Sequence, residues 1–174
     1  MGATWAVTAI RGSLADLDPA LLRPEVEPRE SWADSIRIPR GLVQETDVRF
    51  LIVHHTQTPN GERGGKVPAR LRQIHRYHTT EKGWSDIAYN FLVDETGTIW
   101  EGRAGSLAGP VRGDATGGSQ GFAVLCCFIG DHSLVKPSLA AIESMVLLLA
   151  WQAVLNGVEL SPDRVVTFRS RGSN

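Results

Sequence analysis

The chain has 174 residues, of which 42% are hydrophobic and 21% charged, and this is enough for one domain with a buried core. Its formal net charge of -1 lacks the basic excess of nucleic-acid-binding proteins, so we expect no nucleic-acid partner. The only two cysteines, Cys126 and Cys127, are adjacent, which excludes a disulfide framework. We also expect no membrane span, because the longest dense apolar stretch, residues 145–151, is too short to cross a bilayer.

The N-terminal stretch, residues 1–27, is interrupted by Pro19 and Pro24, and we predict an irregular lead-in or a short helix there. Residues 1–14 lack a basic segment followed by an uninterrupted apolar one. No signal peptide is therefore predicted for this chain.

The first predicted strand is a short apolar run, residues 50–53, that leads directly into His54, His55 and Thr56. A short apolar run bounded by turn residues predicts a buried strand. Because side chains alternate along a strand, we expect the two histidines on opposite faces of the sheet. Open α/β sheets place ligands at the carboxyl ends of their strands, so one histidine is a candidate metal ligand. The alternative is that both are packed core or rim residues.

A helix is predicted next, because Leu71, Ile74, His75 and His78 recur at i, i+3, i+4 and i+7. The two histidines could bind a metal together at this spacing. Their place on the same stripe as the apolar residues favours packed, hydrogen-bonded core histidines instead.

Two β-prone runs, residues 88–93 and 98–101, flank an Asp-Glu-Thr-Gly turn and predict a hairpin. Residues 122–129 form the most apolar run and show no alternation, which predicts a central strand. Cys126 and Cys127 lie within it on opposite faces, which favours small buried thiols over metal ligands.

A long helix is predicted from Ser138 to Asn156, closed by Gly157. Its apolar residues cover most of the circumference, so we expect it to be heavily buried. A further strand-like run follows at residues 165–168. These elements predict a single α/β domain in which helices flank a central mixed sheet.

Three segments together resemble the family of type 2 N-acetylmuramoyl-L-alanine amidases and peptidoglycan recognition proteins. They are residues 50–56 (FLIVHHT), 83–93 (GWSDIAYNFLV) and 97–103 (GTIWEGR). The resemblance covers about residues 28–174, which we expect to form the family's domain after a lead-in at residues 1–27. Residues 29–32 and 170–174 look most like secreted actinobacterial members.

The resemblance implies a zinc hydrolase that cuts the amide between the lactyl group of N-acetylmuramic acid and the first L-alanine of the peptidoglycan stem peptide. It also implies bacterial peptidoglycan and muropeptides as partners, a secreted or cell-wall location, and a role in murein catabolism. Three protein ligands plus a water molecule are what a catalytic zinc site requires. The ion lowers the pKa of that water and polarises the carbonyl.

By the same resemblance, His54 falls on the family's first zinc ligand and Tyr89 on the tyrosine that assists attack and stabilises the oxyanion. A phenol suits that task because it donates a hydrogen bond while it remains neutral. The groove for glycan and stem peptide would be shaped by Trp84, Trp100, Glu101 and Arg103. We expect the tryptophans to be partly in the core and Arg103 to bind a substrate carboxylate.

The sequence departs from the family's pattern in two places. Ala115 stands where the family has a groove-facing histidine, and residues 165–174 supply no His, Cys or Asp for the remaining zinc ligands. A single histidine does not hold a catalytic zinc ion. We therefore expect an amidase domain that lacks its C-terminal end and has an incomplete zinc site. The alternatives are a peptidoglycan-binding module without catalysis and an inactive fragment.

Overall fold

A computed structural model describes residues 17–114 and 119–160 of the chain. Residues 1–16, Ala115 and the predicted strand at residues 165–168 lie outside this part. In chain order the elements are α1 (Pro19–Leu22), α2 (Glu30–Ala33), β1 (Phe50–His55), α3 (Lys66–Thr80), β2 (Phe91–Val93), β3 (Ile99–Glu101), β4 (Gly113–Asp114), β5 (Ser119–Gln120), β6 (Ala123–Phe128) and α4 (Leu139–Asn156).

The principal sheet has four strands in the order β1-β6-β2-β3. β6 pairs in parallel with β1 on one side and with β2 on the other, whereas β2 and β3 form an antiparallel hairpin. The most apolar strand is thus an inner strand with both edges paired, as predicted. The α/β fold with a mixed sheet and flanking helices is confirmed.

The helix α3 covers one face of this sheet, where Leu71 and Ile74 pack in a buried cluster with Leu92 and Cys127. The sheet's other face is covered by α4, whose Met145 and Leu148 pack with Phe91 and Cys126. Side chains alternate along β6, so the two cysteines point to opposite faces; both are buried and free. The prediction of buried thiols is confirmed.

The boundaries of α4 follow the sequence. The Ser138 hydroxyl caps the first turn by accepting a hydrogen bond from the Ala141 N–H (3.1 Å), and Gly157 closes the helix in a left-handed conformation.

The prediction that α4 is heavily buried is wrong. Leu139, Val146 and Leu147 on its outer side are 71%, 59% and 55% exposed. The helix contacts the sheet along one face only. The apolar residues on the rest of its circumference are therefore not buried by the sheet. With a mean hydropathy of 1.6 over its 18 residues, α4 is long and apolar enough to cross a membrane by length and composition alone. This is weak support for a membrane span, because helices that pack on a sheet pass the same test.

Part of the predicted lead-in is joined to the sheet. The Glu27 N–H donates to the Ile99 carbonyl (2.8 Å), and the Glu101 N–H donates to the Glu27 carbonyl (2.8 Å). Leu22 and Val26 pack against the cluster beneath α4. Residues 19–27 therefore form a short helix and a parallel bridge to β3, and their apolar side chains join the hydrophobic core under α4.

Candidate functional site

A cleft with a volume of about 770 Å³ opens at the carboxyl end of β1, on the sheet face that α3 covers. We call it the main cleft. Its lining comes from the end of β1, from α3 and from the segment that follows α3: His54, His55, Thr56, Gln57, Thr58, Arg70, Gln73, Ile74, Tyr77, His78, Lys82, Trp84 and Tyr89.

Side chains alternate between the two faces of the sheet along β1, and this alternation places His54 in the main cleft. It stands in register with Cys127 of β6, whose side chain lies on the α3 face, and its own imidazole is half-buried. Burial, with a smaller contribution from neighbouring His55, lowers the pKa of His54. The imidazole is therefore neutral at pH 7, which is the form that binds metals.

Tyr89 lies between two histidines of the main cleft. Its ring centroid is 5.8 Å from that of His54 and 5.6 Å from that of His78. Burial raises the pKa of Tyr89 well above its ordinary value, and the adjacent Cys127 thiol adds to this shift. The phenol consequently keeps its proton at neutral pH and can donate a hydrogen bond.

His78 supports the segment that carries Tyr89. Its Nδ1 accepts a hydrogen bond from the Ala88 N–H (3.1 Å), and its ring lies 4.9 Å from that of Trp84. Burial, assisted by nearby positive charge from His75, lowers the pKa of His78 to about 4. The prediction of a packed, hydrogen-bonded histidine is confirmed here.

The other α3 histidine points elsewhere. His75 Nε2 lies 3.3 Å from the Asp86 carboxylate, which also pairs with Arg29 (2.9 Å). The two histidines of α3 therefore have different partners, and they do not converge on one metal position.

Trp84 is half-buried and lines the main cleft, whereas Trp100 is a core residue. The Trp100 indole N–H donates to the Asp94 carboxylate (3.0 Å). The tryptophans were expected to be partly core, and the structure divides them between cleft wall and core.

Glu101 and Arg103 are buried and have internal partners. Glu101 accepts hydrogen bonds from the backbone N–H groups of Arg29 (3.1 Å) and Leu107 (2.9 Å). Arg103 pairs with Asp114 (2.8 Å) and lines a neighbouring groove, beside Trp84, rather than the main cleft. The predicted contact of Arg103 with a substrate carboxylate stays a prediction.

Sequence reasoning missed several polar residues of the main cleft, chiefly Arg70, Gln73 and Tyr77. They occupy a stripe of α3 next to Ile74 and His78, at spacings of i, i+3 and i+7. This polar stripe borders the apolar stripe that predicted the helix, so the same periodicity could have located it.

A complete metal site is not formed by the described residues. In residues 17–114 and 119–160 there is no group of three His, Cys, Asp or Glu side chains that could hold a metal ion. His54 fits as one neutral nitrogen ligand, but a catalytic zinc ion needs three protein ligands. This part of the chain therefore does not form a zinc centre by itself.

Comparisons with known proteins agree with this fold. The family described as N-acetylmuramoyl-L-alanine amidase matches residues 44–171. The chain is 32% identical over 142 residues to a human N-acetylmuramoyl-L-alanine amidase, covering 80% of this chain and 24% of that protein. The chain thus spans about a quarter of that relative's length.

Solved structures give the same assignment. Drosophila peptidoglycan recognition protein SA superposes with a TM-score of 0.66 at 26% identity, covering 86% of this chain and 87% of its own. Peptidoglycan recognition protein LE, solved in complex with tracheal cytotoxin, superposes with a TM-score of 0.62 at 28% identity, covering 75% and 74%. The chain therefore belongs to the family of N-acetylmuramoyl-L-alanine amidases and peptidoglycan recognition proteins.

Proposed function

We propose that the protein binds bacterial peptidoglycan in the main cleft and hydrolyses the amide between the lactyl group of N-acetylmuramic acid and L-alanine. One observation carries the proposal: His54 and Tyr89 meet in the main cleft with ring centroids 5.8 Å apart. The resemblance described above implies that both residues match functional positions of this family. Because peptidoglycan lies outside the cytoplasmic membrane, the proposal also places the protein there.

Tyr89 is proposed to stabilise the oxyanion. Attack on an amide carbonyl gives a tetrahedral intermediate with negative charge on oxygen, and a fixed neutral donor at that point lowers the barrier. The raised pKa of Tyr89 keeps its hydroxyl protonated for this purpose. The ring of Tyr89 packs between those of His54 and His78, and its hydroxyl is hydrogen-bonded with the Cys127 thiol.

The rest of the cleft offers groups that suit a muropeptide. Lys82 is exposed at the rim, with its Nζ 5.5 Å from the centroid of the Tyr77 ring. Arg70 lies on the α3 wall and pairs with Glu62 (2.7 Å). Cations at a rim complement the carboxylates of a stem peptide, and aromatic faces such as that of Trp84 pack against sugars and aliphatic groups.

Zinc dependence is proposed on family membership together with the neutral His54 imidazole. The described residues supply no complete ligand set, so we assign no step to the metal.

A second candidate function is muropeptide binding without hydrolysis. The observation that favours it is the lack of a three-ligand group among residues 17–114 and 119–160. The complex of protein LE with tracheal cytotoxin shows that a structural neighbour binds such a ligand.

Product analysis separates the two functions. The protein is incubated with N-acetylmuramoyl tripeptide in the presence of zinc or of EDTA, and products are measured by liquid chromatography with mass spectrometry. Calorimetry measures binding in parallel. Free tripeptide that forms with zinc but not with EDTA supports the amidase. Binding without product supports the binding module, and the absence of both contradicts the proposed function.

A further inference from the structure

A second groove lies between α3 and the loop that follows α2. It has a volume of about 340 Å³ and is lined by residues 37–40, His75, Thr79 and Ser85. We call it the arginine groove, because two of its lining residues are arginines. It shares no lining residue with the main cleft. It is therefore a separate feature of the surface.

The loop that carries the two arginines is fixed at both ends. Ile36 packs against the buried cluster between α2 and α3. On the other side, the Val43 carbonyl accepts a hydrogen bond from the Arg112 N–H (2.8 Å). Pro39 lies between the arginines, and its ring restricts the backbone there. The backbone of the loop is thus held in a defined position beside α3.

The ionisable side chains that line the arginine groove are all basic. They are Arg37, Arg40 and His75. Both arginines are exposed, and in the described part of the chain neither forms an ion pair. The acidic residues Asp34 and Glu81 lie outside the lining, and α3 itself contains neither Asp nor Glu. The groove therefore has a positive surface.

A buried carboxylate behind the groove does not cancel this charge. Asp86 lies 3.3 Å from His75 Nε2, but it also pairs with the Arg29 guanidinium (2.9 Å). It accepts further hydrogen bonds from the N–H groups of Ala104 (2.9 Å) and Ile87 (2.8 Å). Because the charge of Asp86 is balanced inside the protein, the two arginines of the groove are left to bind an anion from solution.

The groove also offers a hydroxyl donor. Ser85 Oγ accepts a hydrogen bond from Arg103 (2.9 Å), and among the described residues it donates to no acceptor. The Thr79 hydroxyl, in contrast, already donates to the His75 carbonyl (3.0 Å). A carboxylate has two oxygens, which one guanidinium group satisfies. Two guanidinium groups and a hydroxyl from a separate segment suit a tetrahedral anion with more acceptor oxygens.

We propose that the arginine groove binds phosphate ester groups. The guanidinium groups of Arg37 and Arg40 and the Ser85 hydroxyl contact the phosphate oxygens. The organic part of the ester packs on Ile38 and Pro39, and Ile38 is 59% exposed and gains cover from this contact. A soluble phosphate ester and a phospholipid headgroup share this chemistry. The proposal is independent of the function proposed for the main cleft.

Amide chemical shifts of the ¹⁵N-labelled protein test the proposal, with glycerol 3-phosphate, succinate and glycerol as probes. Glycerol 3-phosphate is expected to give saturable shifts at Arg40, Thr79 and Ser85. Its dissociation constant should be about three- to tenfold lower than that of succinate, which has a similar charge but no tetrahedral group. Glycerol should give no saturable shifts.

Sedimentation with vesicles identifies the source of the phosphate. Sedimentation with phosphatidylglycerol vesicles but not with phosphatidylcholine vesicles, lost in Arg40→Gln, identifies a lipid headgroup. Saturable binding of glycerol 3-phosphate without such sedimentation identifies a soluble ester. The absence of both would overturn the proposal.

Two variants and a control complete the test, with thermal unfolding to verify that each is folded. Arg37→Gln and Arg40→Gln should each weaken the binding of glycerol 3-phosphate about three- to tenfold. Arg23→Gln removes the same charge from an exposed arginine that lies over the Trp151 ring of α4. Because salt screens distant charges, this control should leave the affinity within about twofold. Equal affinity for glycerol 3-phosphate and succinate, or equal effects of the groove and control variants, would each overturn the proposal.

Discussion

Tyr89 and His54 face each other in the main cleft with ring centroids 5.8 Å apart, although the whole of α3 separates them in the sequence. His54 lies at the carboxyl end of β1, and Tyr89 lies just before the start of β2. Both strands are neighbours of β6, so the parallel pairing on its two sides brings these side chains together.

The hydroxyl of Tyr89 is predicted to act in the transition state rather than in folding. Tyr89→Phe should lower kcat by about 10²–10³, the usual cost of removing one oxyanion donor, with little change in KM. Thr80→Val, which removes an exposed hydroxyl at the end of α3 outside the cleft lining, should leave kcat within about twofold. Steady-state hydrolysis of N-acetylmuramoyl tripeptide measures both. Equal effects of the two substitutions would remove the role assigned to Tyr89.

His78 is predicted to make the folded state less stable in acid. Its pKa is about 4 in the folded protein, below the ordinary 6.5 that applies after unfolding. The unfolded chain therefore takes up a proton first, so stability falls as pH drops from about 6.5 to about 4. The difference amounts to about 2–3 kcal/mol. Urea unfolding across this range, with His78→Gln for comparison, measures the effect. The variant should lose this part of the pH dependence, and an unchanged profile would contradict the prediction.

The buried pair of Arg29 and Asp86 is predicted to be important for stability. Asp86 is fully buried, with its carboxylate 2.9 Å from the guanidinium and a second bond from the Ala104 N–H (2.9 Å). Asp86→Ala removes the carboxylate partner of a buried cation and of two backbone N–H groups, those of Ala104 and Ile87, which should cost about 3–5 kcal/mol. The exposed pair of Asp47 and Arg49 is the control, because Asp47→Ala should cost less than about 1 kcal/mol. Denaturant unfolding of both variants checks this; similar costs would contradict it.

Gly102 is predicted to be required for the position of Tyr89. A Cβ at Gly102 would overlap the Tyr89 carbonyl oxygen and lie 2.6 Å from Leu92 Cδ1. Gly102→Ala should therefore displace the Tyr89 backbone, destabilise the fold by about 1–3 kcal/mol and lower kcat. Gly65→Ala is the matched change, because Gly65 has a helical conformation and open space around its Cβ position. Thermal unfolding and the hydrolysis assay should separate the two variants, and equal behaviour would exclude this account.

Local patterns were sufficient to predict much of the fold. The apolar run before His54, the helical spacing of Leu71 and Ile74, and the Ser138 and Gly157 boundaries of α4 each depend on neighbouring residues alone. These elements are present as predicted. Tyr89 and His54 both line the main cleft, and their roles there stay predictions.

Features that depend on distant contacts could not be predicted in this way. The exposure of Leu139 and Val146 depends on how much of α4 the sheet covers, which the helix's own composition does not reveal. The internal partners of Arg103 come from separate segments, at Ser85 and Asp114. The pocket of about 320 Å³ against the first turn of α4 likewise needs the relative positions of β2, β6 and α4, so no single stretch of sequence indicates it.

The most direct test of the account is a map of where the substrate binds. N-acetylmuramoyl tripeptide is titrated into the ¹⁵N-labelled protein, and amide shifts are followed at saturation. We predict saturable shifts for His54, Tyr89 and the cleft-facing residues of α3, and the loss of binding when Trp84 is replaced by Ala. Saturable shifts confined to the opposite face of the sheet, or none at all, would contradict the assignment of the main cleft as the peptidoglycan site.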